Sequence, residues 1–231
     1  MNQLSFRLKR KILRAAVAPL LGRRRSWRWL AQRAELHFHQ NNQWRQTDEF
    51  HRHTAELFQH FGFSPGCFAG GTVVDLGAGS KLRTTYFLGA RLIAVEPLAE
   101  EFLRTIPWCD LRRAEQVFAR PAEERIPSLS GAADAVISIN VLDHCYDLAP
   151  ILENLATYLK PGGLGFLSFD SHEAADVLHP LPLAGGAVEA AIPETALVVE
   201  KLTVGLGPLG PMYGQGRALN YWLRKPTSAS V

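Results

Sequence analysis

From Gly70 onward the chain alternates short, almost unbroken apolar runs with stretches of helical spacing, and this alternation limits the fold more than any other feature. The runs are Thr72-Val73-Val74-Asp75-Leu76, Arg91-Leu92-Ile93-Ala94-Val95-Glu96, Ala133-Asp134-Ala135-Val136-Ile137-Ser138 and Gly165-Phe166-Leu167-Ser168-Phe169. A strand that is apolar at successive positions has both faces covered. Strands separated by helix-length segments pair in parallel, because the crossover needs about a dozen residues. The pattern predicts an α/β fold around a mostly parallel sheet. A weaker strand is expected around Trp108 to Arg112. Two last runs, about Ala196 to Val204 and Arg217 to Lys225, have no helix-length pattern between them, so they are expected to pair antiparallel at the sheet edge.

The first run leads directly into Asp75-Leu76-Gly77-Ala78-Gly79-Ser80-Lys81. Two glycines one residue apart at a strand-to-helix turn let backbone approach a ligand closely, where amide N–H groups can bind it. The second run ends in Glu96, followed by Pro97. A carboxylate at the tip of the second strand, beside a glycine-rich first turn, is placed to accept both ribose hydroxyls of a nucleoside. A dinucleotide site would want G-x-G-x-x-G, and Leu82 stands at the third position, so that fingerprint is incomplete. S-adenosylmethionine has no pyrophosphate and needs only room over the turn and an acid at its ribose. The glycines lean toward it, with a dehydrogenase as the remaining rival.

Taken in order, VVDLGAG at 73–79, LIAVEPL at 92–98, ADAVISINVLDH at 133–144 and LKPGGLGFLSF at 159–169 resemble class I S-adenosylmethionine-dependent methyltransferases of the type-11 kind. The resemblance covers about residues 70–169. It implies a Rossmann-like fold with a seven-stranded, mostly parallel sheet, an antiparallel C-terminal edge and an N-terminal helical extension. It also implies an enzyme that uses S-adenosylmethionine. Asp75, Gly77, Ala78 and Gly79 match the turn beside the methionine moiety, and Glu96 with Pro97 matches the ribose-binding end of the second strand. Ala122 and Glu123 fall at the adenine position, although Pro121 stands where the family often has Asp. Asn140 faces the donor. Lys81, in place of a further glycine, is a candidate contact for the methionine carboxylate.

For the chemistry, His144 is the first candidate base, Asp143 could orient it or act itself, and His172 could reach the same mouth. An equally weighted reading makes His144 a loop residue ahead of a helix capped by Asp147. Asn140-x-x-Asp143-His144 with His172 resembles a metal-assisted methyltransferase arrangement, but Asn140 stands where that arrangement has an acid, so a ligand is missing and metal is not expected. The Asn/Asp-Pro-Pro-aromatic motif of amine methylation is absent after the fourth strand, where Ile139-Asn140-Val141-Leu142 stands. So is a Pro-Cys nucleophile. These absences favour a small-molecule, lipid-linked or glycan acceptor.

Charge adds a second theme. Residues 1–34 hold ten basic side chains and no acid, so this arm carries +10, and the formal net charge of +3 leaves −7 on the remainder. Leu4, Leu8, Ile12, Ala16 and Leu20 share one helical face while Arg7, Arg10, Lys11 and Arg14 share the other, up to about Ala18, before Pro19. The expected organisation is a basic amphipathic helix and helical cap over 1–69, a methyltransferase domain over 70–226 and a tail over 227–231. Residues 1–33 could contact an anionic membrane surface, or nucleic acid in the alternative reading of a nucleic-acid-associated methyltransferase or binding module. Trp27, Trp29 and Trp44 are expected to pack between helix and core, or to form an apolar lid. The five histidines between His37 and His60 fit no ligand frame, and read as surface or capping residues. Three scattered cysteines, with no long apolar stretch, point to a cytoplasmic setting.

Overall fold

The computed structural model describes residues 23–174, 179–192, 197–205 and 218–227. The basic helix expected before Pro19 and the loop over 206–216 lie outside the described residues. Seven strands form one sheet: β1 (Thr72–Leu76), β2 (Arg91–Val95), β3 (Gln116–Phe118), β4 (Ala133–Ile139), β5 (Leu159–Asp170), β6 (Val198–Gly205) and β7 (Ala218–Arg224). Their order is β3-β2-β1-β4-β5-β7-β6. The first five pair in parallel, and β7 runs antiparallel between β5 and β6. The four strong apolar runs are four of the five parallel strands, and the terminal pair forms the antiparallel edge.

The weak strand expected at Trp108 to Arg112 is not one. Asp110–Arg113 is a 3-10 turn, and the third strand lies a few residues later at Gln116–Phe118. Polar anchoring holds the turn. The Asp110 amide donates to Ser80 O at 2.8 Å, and its carboxylate meets Lys81 Nζ at 2.8 Å and His51 Nε2 at 2.9 Å. A backbone fixed in this way is not available to a ladder. β3 itself is a short, half-exposed edge strand, so it lacks the double-sided apolar signature that revealed the others.

Six helices accompany the sheet among the described residues: α1 (Arg23–Ser26), α2 (Gln32–Asn41), α3 (Glu49–His60), α4 (Ala99–Thr105), α5 (Leu148–Tyr158) and α6 (Ala187–Ala191). A π-turn at Trp27–Ala31 joins α1 to α2. In α3, Phe50, Thr54, Leu57 and Phe58 recur at helical spacing and are buried. Leu57, Phe58 and the following Phe61 and Phe63 pack on Val73, Phe87, Ala135, Ile137 and Phe166, so the helical extension shares a core with the sheet. On the other sheet face α5 buries Ile151, Leu152, Leu155 and Tyr158 against β1, β4 and β5. Asp147 stands at the N-cap of α5 but makes no capping side-chain bond, contrary to the sequence expectation. No helix among the described residues is long and apolar enough to cross a membrane.

Candidate active site

β1 pairs with β2 on one side and with β4 on the other, so chain connections leave the carboxyl edge of the sheet in opposite directions there. A crevice at such a switch point is where open α/β sheets place their ligands. Gly77 (φ +80°) and Gly79 (φ +60°) form its floor, both in the left-handed region that side chains disfavour. A Cβ at Gly77 would lie 2.3 Å from Val141 Cγ1, so the loop after β4 needs bare backbone against it. Asn140, which opens that loop, has φ +58°, a strained conformation that asparagine tolerates better than most residues.

Two carboxylates brace this floor. Asp75 Oδ2 accepts from Thr84 Oγ1 at 2.8 Å, tying the end of β1 to the next turn, while burial pushes its pKa up to about 6. Glu96 Oε2 accepts from the Gly79 amide and Oε1 from the Leu98 amide, both at 2.9 Å. Burial outweighs these bonds and pushes the Glu96 pKa up to about 7, with Glu35 and Asp75 adding repulsion. Glu96 and Pro97 line a cavity of about 80 Å³ together with Gly77, Gly79, Ala122, Glu123 and Asn140.

In that cavity Glu123 Oε1 accepts from the Tyr146 amide at 2.7 Å, while the buried Oε2 has no hydrogen-bond partner. An orphaned buried carboxylate oxygen is costly, and a ligand amine would satisfy it. The residues therefore fit an adenosine: Glu96 for its ribose hydroxyls, Glu123 for its exocyclic amine. Trp27 and Gln32 form part of the wall, and Trp27 Nε1 donates to His144 O at 2.7 Å. This segment walls the smaller cavity on the side of the helical extension. The π-turn at its root is a common feature of functional sites.

A larger cavity of about 350 Å³ continues from the glycine turn, with Asp75, Ala78, Asn140, Asp143, His144 and His172 in its lining. Asp143 is the centre of this half. Its side chain is 2% exposed, and three imidazole Nε2 atoms face its Oδ2: His172 at 3.3 Å, His144 at 3.6 Å and His179 at 4.0 Å. Burial alone would raise the Asp143 carboxyl; the His172 hydrogen bond and the nearby His144 and His179 bring it below its ordinary value. His144 Nδ1 lies 3.4 Å from Glu35 Oε1 of α2, while its backbone belongs to the turn ahead of α5, where its amide donates to Val141 O at 2.9 Å.

The sequence missed several residues that share these cavities. His39, set aside as a surface or capping histidine, is buried and lines both. Its Nδ1 receives the Ser80 amide at 3.2 Å, which can only donate, so a neutral ring carries its proton on Nε2. Burial, with Arg45, His144 and Arg83 alongside, holds this imidazole well below its ordinary pKa. Arg45 and Arg83 are buried in the larger cavity and stack over Phe50. Lys81, a candidate contact for the methionine carboxylate, pairs instead with Asp110. Among the tryptophans, Trp27 enters the smaller cavity, Trp44 packs on Phe50, and Trp29 is 57% exposed. No motif spacing announces His39, Arg45, Arg83 or His179; the only signal was their residue type.

Comparison with known proteins shows the family. Residues 43–191 match the family model described as "Methyltransferase domain". The ubiquinone biosynthesis O-methyltransferase of Xanthomonas axonopodis pv. citri is 35% identical over 104 residues, which is 43% of this chain and 43% of that protein. The Xanthomonas oryzae pv. oryzae protein of the same name matches over the same share at 35%. The matched region thus spans less than half the length of these curated relatives. Among solved structures, 1,6-didemethyltoxoflavin-N1-methyltransferase of Burkholderia thailandensis, with S-adenosylhomocysteine bound, covers 76% of this chain and 77% of its own at TM-score 0.51 and 18% identity. Geranyl diphosphate C-methyltransferase of Streptomyces coelicolor A3(2) covers 74% and 75% at TM-score 0.55 and 11% identity. At these identities the two structures speak for the fold.

Proposed function

Because the chain belongs to the methyltransferase-domain family and has the class I S-adenosylmethionine-dependent fold, we propose that it transfers the methyl group of S-adenosylmethionine to a hydroxyl oxygen of a small, ring-bearing acceptor. The observation that carries the choice of oxygen is the imidazole–carboxylate cluster around Asp143, opening on a cavity continuous with the glycine turn. A hydroxyl must lose a proton as it attacks, and such a cluster can receive it. The O-methyltransferase relatives support the same choice.

S-adenosylmethionine supplies a methyl carbon on a sulfonium leaving group. The remaining work is positioning. Glu96 would hold the ribose hydroxyls, Glu123 with Ala122 the adenine, and Gly77, Ala78 and Gly79 the methionine end against bare backbone. Arg45 and Arg83, which line the larger cavity, would meet the methionine carboxylate, since Lys81 pairs with Asp110. Asn140 lines both cavities, at the junction of donor and acceptor. Phe38, Phe50, Ile137 and Ile139 give the larger cavity apolar walls against which a ring would lie. His144 would take the acceptor proton on one ring nitrogen while Asp143 or Glu35 holds the N–H of the other, with His172 bonded to Asp143. Holding the acceptor oxygen within about 3–3.5 Å of the methyl carbon supplies much of the rate.

The test is transfer of a tritiated methyl group from S-adenosylmethionine to matched small acceptors: a catechol, the corresponding aromatic amine and an RNA. Label in the catechol alone is expected. Label in the amine or the RNA, with none in the catechol, would overturn the reading.

A further inference from the structure

We infer that Asp143, His172 and His179 form a binding site for one divalent transition-metal ion at the wall of the acceptor cavity. Their ligand atoms all lie within 4.8 Å of one another. Asp143 Oδ2 is 3.3 Å from His172 Nε2 and 4.0 Å from His179 Nε2. An ion held at about 2.0–2.2 Å from nitrogen and carboxylate oxygen sets ligand atoms roughly 3.4 Å apart in tetrahedral geometry. One edge already has that length. The other two edges are longer, 4.0 Å between Asp143 and His179 and no more than 4.8 Å between the histidines, and would contract on binding.

Two further observations point to an ion. Asp143 is almost wholly buried, yet its Oδ1 has no hydrogen-bond partner, so the carboxylate holds an unused lone-pair site. Asp170, on the same cavity, likewise has a buried Oδ1 without a partner. The second observation concerns the loop after β5. The His172 amide donates to Leu183 O at 3.1 Å, and Leu181 and Leu183 are buried in the main core. This closure returns the chain so that both imidazoles face Asp143, their rings stacked at 4.5 Å. Seven positions separate the two histidines in sequence, a spacing that matches no ligand motif.

Two imidazoles and one carboxylate suit zinc, cobalt, iron or nickel in their divalent forms better than magnesium, which prefers oxygen ligands. The sequence argument against metal rested on Asn140, and this set does not use Asn140. Three protein ligands leave positions open toward the cavity, the arrangement of catalytic rather than structural sites. On the reading above, whose role for the ion this clause depends on, an acceptor hydroxyl would occupy an open position. Its O–H proton would pass to His144, the oxygen lone pair would form the new C–O bond, and the breaking C–S bond would return its electrons to sulfur as a neutral thioether.

The full chain, cleared of metal, is titrated with Co2+ as a spectroscopic probe and with Zn2+ by calorimetry, and S-adenosylhomocysteine binding is measured on the same preparation. The expected result is one Co2+ per chain with a visible d–d band. His179→Ala and His172→Ala each weaken binding about tenfold or more, while His60→Ala leaves it unchanged. His179→Gln repeats the test in a side chain that keeps bulk and polarity, should the alanine variant lose its fold. Absence of stoichiometric Co2+ and Zn2+ binding, or affinity unaffected by His172 and His179 replacement, overturns the site and leaves a hydrogen-bonded histidine cluster. Metal binding that needs these histidines in a protein that fails to bind S-adenosylhomocysteine keeps the ion site and removes the methyltransferase reading.

Discussion

The two halves of the crevice are built by different means. The nucleoside half is mostly backbone: two glycines at positive φ, amides of Gly79 and Leu98 on Glu96, and Val141 packed where Gly77 has no Cβ. The acceptor half is made of side chains from distant parts of the chain, with Glu35, Asp143, His144, His172 and His179 meeting around one cavity. The contrast suggests a division of labour. A shared donor can be met by a fixed backbone turn, whereas an acceptor is recognised by groups that can vary without disturbing the sheet. Changes in one half should move donor affinity, and changes in the other should move turnover.

The largest effect is expected from Asp143→Asn. It removes the charge that three imidazoles face, and general acid–base contributions of this kind are worth about 10²–10⁴ in rate. We expect kcat to fall by that order while S-adenosylhomocysteine affinity stays within about threefold, in calorimetry beside a methyl-transfer assay. A matching loss of donor affinity would erase the division between the halves.

Gly77→Ala attacks the other half through backbone. Its Cβ would sit 2.3–2.4 Å from both Val141 γ-carbons at φ +80°. Overpacking and left-handed strain together should cost about 2–4 kcal/mol of stability, and donor binding should weaken with it. The double variant Gly77→Ala/Val141→Ala relieves the clash but not the φ, so chemical denaturation should recover only part of the loss. Full recovery would mean that the turn does not require glycine.

The same contrast explains what could be read from the sequence. The parallel strands were legible because each is apolar on both faces, and Asp75, the two glycines and Glu96 because they sit at fixed offsets from strand ends. β3 was not, since only three residues at a half-exposed edge define it. Asp143, His144 and His172 were legible as residues after strands, but not their convergence on one oxygen. His39, Arg45 and Arg83 reach the site by the path of α2 and α3 across the crevice, a tertiary fact with no local signature. His179 depends on the His172–Leu183 closure, which no periodicity reports.

Glu96→Gln tests the donor half at a single group. It removes the charge that would accept ribose hydroxyls and turns one of the two oxygens that hold the Gly79 and Leu98 amides into a donor, and charged hydrogen bonds contribute about 1.5–3 kcal/mol. Affinity for S-adenosylhomocysteine should fall about 10- to 100-fold, with the structure intact by circular dichroism. An unchanged affinity would take Glu96 out of the site, and with it the sharpest sequence-level expectation about the donor.

The smallest effect on donor affinity is a pH dependence, and its sign follows from the same carboxyl. Burial, opposed by the Leu98 and Gly79 amides and reinforced by Glu35 and Asp75, raises the pKa of Glu96 in the unliganded protein to about 7, above the ordinary 4.5. Unliganded stability from this group is therefore fully present below about pH 4.5 and is lost as pH rises through 7, a change of about 3 kcal/mol at 1.36 per unit. Ribose hydroxyls donate to the charged form and draw the pKa back down, so binding releases a proton where the free carboxyl is protonated. Donor affinity should then rise about tenfold from pH 6 to pH 8 and flatten above it. Calorimetry in two buffers of different ionisation enthalpy should show proton release at pH 6 and almost none at pH 8. Glu96→Gln should lose both the slope and the release, whereas Asp143→Asn should keep them, because the group that titrates belongs to the donor half alone.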